Sequence, residues 1–448
     1  MIDLKPLKAQ FSNKPVAILG LGKSGIATDD ALVAAGIDTV LWDDNAAAKK
    51  SFKTEDLSNA DFARFALLCM APGIPLSHPV AARARKAGCE IVGDIELFHR
   101  AHPAMKTIGI TGTNGKSTTT ALIGHILKNA AVESAVGGNI GEAALSLPQL
   151  SDQGVYVFEL SSYQLDLCPT YAPDIAALIN LSPDHIDRHG DMAGYIAAKE
   201  RIFRGKGIAV IGVDDLWTTS VFQRLKKSGG RRIIPVSCVE KFPEGVIVTK
   251  AGVLFHDRKE VFDLKQCKTL QGQHNWQNAA IAYAVCTAQG VAVARIIEGL
   301  KTFPGLAHRQ KIVAASDGVT YINDSKATND QAAAMALRTY DPVYWIAGGK
   351  AKEGGYSDCE QYLSHVRHAF LIGDAEEKMA AWLTTQGVTF SRAGTMDTAV
   401  AAAHDMAKRE KLENAVVLLS PACASFDQFR NFEHRGEVFE DLVRKIIS

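Results

Sequence analysis

A chain that runs KTIGITGTNGKSTTTALIGHILKN over residues 106–129 has little freedom in how that stretch folds. The apolar KTIGI reads as a buried strand, the polar Thr111–Ser117 segment as a tight loop. Apolar residues at 121, 122, 123, 126 and 127 mark one face of a helix. Strand, glycine loop and helix in that order make a phosphate cradle, with backbone N–H groups and the helix N-terminus facing the anion. Lys116 is placed to reach the β- and γ-phosphate oxygens, and the Ser117 hydroxyl to sit on Mg2+. Gly112, Thr113, Asn114, Gly115 and Thr118 complete the loop. The usual spacing wants a glycine five residues before Gly115, where Ile110 stands, so this is a variant that carries Gly112 inside the turn. The segment is expected to bind a nucleoside triphosphate.

A second glycine turn opens the chain. VAILGLGKSG, residues 16–25, places Gly20-x-Gly22-x-x-Gly25 after an apolar run, and Asp43 and Asp44 follow in VLWDD. That pattern fits a pyrophosphate at a helix N-terminus and an acid on a ribose hydroxyl. A nicotinamide-dependent dehydrogenase would use it, but leaves the triphosphate loop without work. A GTPase could offer Asp187-Arg-His-Gly190 as a switch, yet no NKxD guanine reader exists, the one Asn-Lys being Asn13-Lys14. The loop alone leaves a kinase or a motor open.

At 448 residues the chain has room for three domains of roughly 150 residues each. Short apolar runs alternate with helical patterns throughout, which predicts α/β domains with largely parallel, doubly wound sheets. The first spans VAILG, a helix over Ser24–Ala35, TVLWD and FALLCM. The second runs from KTIGI through VYVFELSS and IAALINLSPDH to GIAVIGVDD, with RRIIPVS, EGVIVTK and GVLFHD between Arg232 and Leu270 expected as an antiparallel appendage. The Pro/Gly-marked FPGLAHRQ introduces the third, with VTYINDSK, VYWIAGG, HAFLIGD and AVVLLSP as strands. We place the domains at 1–96, 97–304 and 305–448.

Lys plus Arg and Asp plus Glu are equal at 49 each, so no basic surplus points to nucleic acid. The eight cysteines are scattered without a disulfide or zinc spacing. The N-terminus lacks a signal-peptide core, and no apolar run approaches the ~20 residues that span a bilayer. A cytoplasmic enzyme with no membrane insertion is expected.

Glu159 ends the run VYVFE, and Asp184, His185, Asp187 and His189 follow the run IAALINLS. Ligands of open α/β sheets bind at the carboxyl ends of strands, so Glu159 and His185 are candidate Mg2+ ligands beside Ser117. Lys199, in the helix DMAGYIAAKERIF, reads as an ordinary lysine, since an ammonium cannot ligate a metal.

Taken together, TGTNGKST, ELSSYQL, NLSPDHIDRHG, YIAAKERIF, GQHNWQNAAIAYA, FPGLAHRQ, NDSKATN and LSPACASFDQFRNFEHRGEVF resemble the Mur ligases over nearly the whole chain. SPACASFDQF resembles the D-glutamate-adding members, and the DNPR signature of the diaminopimelate-adding ones is absent. The resemblance implies that a carboxylate of UDP-N-acetylmuramoyl-L-alanine attacks the γ-phosphate of ATP, and that D-glutamate then displaces phosphate from the acyl phosphate. It implies two Mg2+ ions held by Ser117, Glu159, His185 and Lys199, the last as a CO2-derived carbamate, with Lys116, His185 and Lys199 catalytic. Asn275 and Asn278 would lie near the adenine, and Arg309 and Asp324 on phosphates and ribose. Lys326, Thr328, Lys352, Ser425 and Phe432 would hold D-glutamate, with Lys350 competing for the place given to Lys352. The first domain would bind the UDP part through Leu21, Gly22, Lys23, Ser24 and Gly73, with Asn139 closing from the second. Asp43 is the candidate ribose contact that the dinucleotide pattern suggests. The resemblance implies a monomer whose domains close on small-molecule substrates, hinged near Phe303-Pro304-Gly305.

Overall fold

Strands covered on both faces read as unbroken apolar runs, and those buried along their whole length here include Val16–Leu19, Val155–Glu159, Ile175–Leu178, Val343–Gly348 and Ala415–Leu419. The computed structural model describes residues 1–239, 244–351 and 355–447, and three sheets organise them. The first sheet has four strands in the order Thr39–Trp42, Val16–Leu19, Leu68–Met70, Ile91–Val92, all parallel. The second has nine, with Lys106–Thr111 between Val155–Glu159 and Ile175–Leu178, third from one edge. The third has six, all parallel except the edge strand Lys311–Ser316. The three-domain α/β architecture expected from the alternating pattern is the one observed.

The appendage expected between Arg232 and Leu270 is antiparallel only in its outer half. Ile233–Ser237 runs parallel to Ile208–Gly212, and Val246–Val248 parallel to Ile233–Ser237. The helix Leu216–Ser228 supplies the crossover that lets Ile233–Ser237 return in the same direction. Val253–His256 and Lys259–Asp263 then close the sheet as an antiparallel ribbon. In the third sheet, Lys311–Ser316 and Phe390–Gly394 are half-exposed edge strands without the continuous apolar signature of their neighbours.

The chain divides into two compact units, Met1–Phe303 and Pro304–Ser448, at the Pro/Gly-marked boundary. Within the first unit, the four-stranded and nine-stranded sheets are joined through a buried carboxylate. Glu96, in the helix Asp94–Ala101, is 0% exposed. It accepts hydrogen bonds from Thr170 N and Tyr171 N, both at 3.0 Å, from the Thr170 hydroxyl, and from Arg100 Nε at 2.8 Å. Burial alone would raise its pKa, but the hydrogen bonds from Thr170 and Arg100 outweigh it and hold the carboxylate below its ordinary value.

A depressed carboxylate pKa gives stability that is present above the unfolded value of about 4.3 and is lost as pH falls through the folded one. Glu96→Gln is therefore expected to cost about 2–4 kcal/mol at pH 7, because two backbone N–H groups and a guanidinium lose their anion. The difference from wild type should shrink as the pH approaches 4, which urea unfolding at a series of pH values measures.

Candidate functional site

The Lys106–Thr111 strand delivers its loop at the carboxyl edge of the nine-stranded sheet, and the helix Lys116–Asn129 starts directly from Gly115. Two backbone conformations make the turn, Gly112 at φ +154° and Gly115 at φ +80°. Gly115 has a second reason to lack a side chain: an added Cβ would lie 2.1 Å from Asn278 Oδ1. Asn278 also accepts from Thr119 Oγ at 3.3 Å and donates to Asn275 Oδ1 at 3.3 Å. The helix Gln273–Ala288 is capped by Gly272 without a side-chain bond, so neither asparagine serves as its cap. Asn278 buttresses the phosphate loop.

The loop is pinned from the neighbouring strand. Asn180 accepts from Thr113 N through its carbonyl and from Asn114 N through its side chain, each at 2.9 Å. Thr113 Oγ lies 3.1 Å from the Tyr195 hydroxyl. Lys116 Nζ donates to the carbonyls of Gly112 and Thr113 at 3.0 and 2.8 Å, and Thr118 is half-buried one residue beyond buried Ser117.

Lys199 is not an ordinary surface lysine. It is 2% exposed, and its Nζ donates to the same Gly112 carbonyl at 2.9 Å and to Thr111 Oγ at 3.3 Å. Burial first, and then the Lys116 ammonium, hold its amine well below the ordinary lysine value. His185 sits in the left-handed region at φ +53°, its Nε2 3.4 Å from Asp184 and its ring 4.9 Å from that of Tyr163. Burial keeps its imidazole below the ordinary value against the pull of Asp184.

Glu159 is placed as a cation ligand would be. Its side chain is 2% exposed, Oε1 accepts from Asn139 Nδ2 at 2.8 Å, and Oε2 is buried with no hydrogen-bond partner. A buried carboxylate oxygen left without a donor is costly unless a cation takes it. Among the described residues no three His, Cys, Asp or Glu side chains gather as a cage. A carboxylate oxygen so placed suits Mg2+, which binds through one or two protein oxygens and completes its shell with water and substrate phosphates. The residues present therefore fit the ion.

At the first sheet, Gly20 adopts φ +96°, and a Cβ there would meet Ala71 Cβ and Ile74 Cδ1 at 2.7 Å. Gly25 lies under the same turn, where a Cβ would stand 1.8 Å from the Gly20 carbonyl. Leu21 is buried, Ser24 half-buried, and Gly22, Lys23 and Gly73 are exposed at this edge. The helix Lys23–Ala34 has no side-chain cap, which leaves its N-terminal N–H groups facing outward. Asp43 is engaged in the turn itself, accepting from Leu21 N at 2.6 Å and from Asn45 N at 2.7 Å. Asp44 pairs with His78 at 2.8 Å.

The second unit gathers its own group. Asp324 follows the strand Val319–Asn323, is 6% exposed, and accepts from Ser420 Oγ at 2.8 Å and Gln310 N at 3.1 Å. Lys326 N donates to the His308 carbonyl at 3.0 Å, which brings the segment carrying Arg309 beside that carrying Lys326 and Thr328. The Lys326 ammonium lies 3.7 Å from the centre of the Phe432 ring. Ser425 is buried in the next loop, and Lys350 pairs through its backbone with Ala424. Lys352 lies outside the described residues. Sequence reasoning missed Arg435, which is 0% exposed. It donates to Ser325 O at 2.8 Å, Ser325 Oγ at 3.0 Å, Cys423 O at 3.1 Å and Ala424 O at 3.2 Å. Nothing in the amphipathic pattern of its helix distinguishes it from a surface arginine. Arg188 and Tyr195 were missed for the same reason.

Burial raises Asp324 to about 7, against the hydrogen bonds from Ser420 and Gln310. A raised carboxylate pKa gives stability that is fully present below the unfolded value and is lost as pH rises through the folded one. Asp324→Asn, which cannot ionise, should therefore gain stability relative to wild type between pH 5 and pH 8. Thermal melts across that range check the sign.

Three domain families match in chain order: the Mur ligase MurD-like N-terminal domain over residues 14–93, the Mur ligase middle domain over 110–286, and the Mur ligase glutamate ligase domain over 308–423. The UDP-N-acetylmuramoylalanine--D-glutamate ligase of Paramagnetospirillum magneticum is 47% identical, over 99% of this chain and 98% of its own. That of Caulobacter vibrioides is 47% identical over 98% and 97%. The crystal structure of the UDP-N-acetylmuramate-alanine ligase of Thermotoga maritima aligns with a TM-score of 0.61 over 97% of this chain and all of that one. At 17% identity this shows a shared fold. With all three domain families in order and relatives matched end to end, the chain belongs to the Mur ligase family.

Proposed function

We propose that this chain is an ATP-dependent ligase that joins D-glutamate to UDP-N-acetylmuramoyl-L-alanine through an acyl phosphate, releasing ADP and phosphate, in the cytoplasmic synthesis of peptidoglycan precursor. The observation that carries the reading is the full-length identity of 47% to relatives bearing that activity in their names. The site chemistry agrees with it. A carboxylate approaching a triphosphate is opposed by about 4 kcal/mol per close charge pair at 4 Å and an effective dielectric of 20. Catalysis of such a step is mostly positioning and charge stabilisation.

Lys116 moves from the Gly112 and Thr113 carbonyls onto the β- and γ-phosphate oxygens, cradled by the N–H groups of Gly112 to Thr118. Ser117 and Glu159 Oε2 would hold one Mg2+, and His185 and Lys199 the other, which would supply positive charge against that building on the transferring phosphoryl group. Lys199 takes part because burial favours its free amine, which can add to CO2 with loss of a proton to become an anionic oxygen donor. Asn278 and Asn275 fix the glycine loop and the adenine side, and Arg309 and Asp324 serve the phosphates and ribose. Lys326, Thr328, Lys352, Ser425 and Phe432 receive D-glutamate, whose two carboxylates call for cationic and hydroxyl donors. The glycine turn at Leu21–Ser24, with Gly73 and Asn139, takes the UDP diphosphate. The engagement of Asp43 with Leu21 N makes it a support of that turn and a poorer ribose ligand. Among the described residues no helix is long and apolar enough to cross a membrane, in keeping with small soluble substrates.

Phosphate release in the presence of ATP, Mg2+ and UDP-N-acetylmuramoyl-L-alanine should depend on D-glutamate, and should fall to background with L-glutamate, L-alanine or diaminopimelate. Release with all four, or with diaminopimelate alone, would assign the chain another amino acid. Incubation with 13C-labelled CO2 should give a carbamate carbon resonance that Lys199→Arg removes. A spectrum identical for the two proteins would leave Lys199 a plain amine.

A further inference from the structure

The short helix Ile186–His189 that follows His185 is held from two sides. On one side His189, with a side chain 5% exposed, sets its Nε2 2.9 Å from Ser162 Oγ and its Nδ1 3.7 Å from Asp166 Oδ2. Its ring also stacks on Tyr163 at 5.7 Å. Those contacts tie the helix to the segment that continues from Glu159. On the other side Arg188 reaches out of the nine-stranded domain. Its Nη2 donates to the Ile74 carbonyl at 2.6 Å and approaches the Pro72 carbonyl at 3.4 Å, while its guanidinium lies 4.7 Å over the Tyr163 ring. The Ile74 side chain in turn rests on Gly20 in the glycine turn.

A continuous packed path thus runs from the Gly20 turn through Ile74 to Arg188, and along three residues of chain to His185. The path demands an arginine. A guanidinium can meet two carbonyls in its plane and stack on a ring with its face, whereas a lysine ammonium is a point charge that cannot do both. The carbonyls of Pro72 and Ile74 lie in the turn that flanks the expected diphosphate site, and His185 flanks the expected nucleotide site.

We propose that Arg188 is a positioning residue that couples these two sites. A UDP substrate seated on the glycine turn fixes the Pro72–Ile74 segment, which fixes Arg188 and with it the pose of His185. By linkage, Mg2+ and nucleotide at the phosphate loop must tighten the UDP substrate by the same factor. The inference rests on the ligase reading for the identity of the two ligands, and it adds a residue whose work is done through other residues.

Calorimetric titration of UDP-N-acetylmuramoyl-L-alanine into wild type, Arg188→Lys and Arg188→Met tests it, each with and without Mg2+ and a non-hydrolysable ATP analogue. Wild type should bind the UDP substrate about tenfold tighter with nucleotide present, within the usual range of site-to-site coupling. Arg188→Met should lose that gain while keeping its nucleotide-free affinity, and Arg188→Lys should keep part of it, with melting temperatures unchanged in both. Coupling that survives in Arg188→Met overturns the proposal. So does a loss of affinity equal with and without nucleotide, which would make Arg188 a direct ligand of the diphosphate. Wild type that binds the substrate with no response to nucleotide overturns the coupling and leaves the ligase reading standing; wild type that binds neither ligand overturns both.

Discussion

Two lysine amines share one carbonyl oxygen, that of Gly112, and much of the first unit's chemistry follows from that crowding. Lys116 is half-buried and Lys199 is buried. Two ammonium groups that close would repel each other by about 4 kcal/mol at a separation of 4 Å and an effective dielectric of 20, before any desolvation is counted. The fold eases the conflict at the deeper one: burial first, and then the neighbouring Lys116 charge, shift Lys199 toward the free amine. Gly112 can present its carbonyl to both only because it stands at φ +154°, where a side chain would be strained and would crowd Ile179 and Asn180. The glycine inside the variant loop, which breaks the usual spacing, is thus the residue that brings the two amines together.

The same logic of withheld side chains recurs along the carboxyl edges of the sheets. Gly115 leaves room for Asn278, Gly20 for Ile74, and Gly25 for the Gly20 carbonyl. In each case the missing Cβ is filled by a neighbouring residue of the chain and not by open space, so these turns are fixed before any ligand arrives. Glu159 differs: its second oxygen is buried with no hydrogen-bond donor, an environment that would suit a cation.

How far the sequence could be read depended on whether a residue's role was set by its near neighbours in the chain. The phosphate loop, the glycine turn and the order of strands were legible because strand, turn and helix succeed one another within a few residues. Glu159 and His185 could be proposed as ligands because the first ends a strand and the second lies in the loop that follows the next one. The direction of Ile233–Ser237 was not legible, since parallel or antiparallel return depends on the course of the intervening helix. Asp43 was ambiguous for a related reason: an acid at the dinucleotide spacing can hold its own turn, as Asp43 does through Leu21 N and Asn45 N, as well as bind a ribose, and spacing does not separate the two. Local pattern gave no sign of the shift at Lys199, because it comes from burial first and then from the Lys116 ammonium, more than eighty residues away in the chain.

Arg435 sharpens that point. A buried guanidinium bound only by neutral acceptors is the arrangement that sequence rules call unfavourable, and burial lowers its pKa to about 10. Its N–H groups nonetheless meet Ser325, Cys423 and Ala424, and Ser325 Oγ passes a hydrogen bond on to the Phe432 carbonyl at 2.8 Å. One cation therefore fixes the loops that carry Lys326, Ser425 and Phe432, and Gly349, whose Cβ would stand 3.0 Å from Arg435 Nη1, bends around it. A hydrophobic side chain of equal volume could fill that space but could not orient three carbonyls. Buried polar groups are kept where uniqueness of loop conformation matters more than stability, and such departures from local rules collect at functional sites. The Arg435 knot makes the loops of the second unit a candidate for such a site on physical grounds.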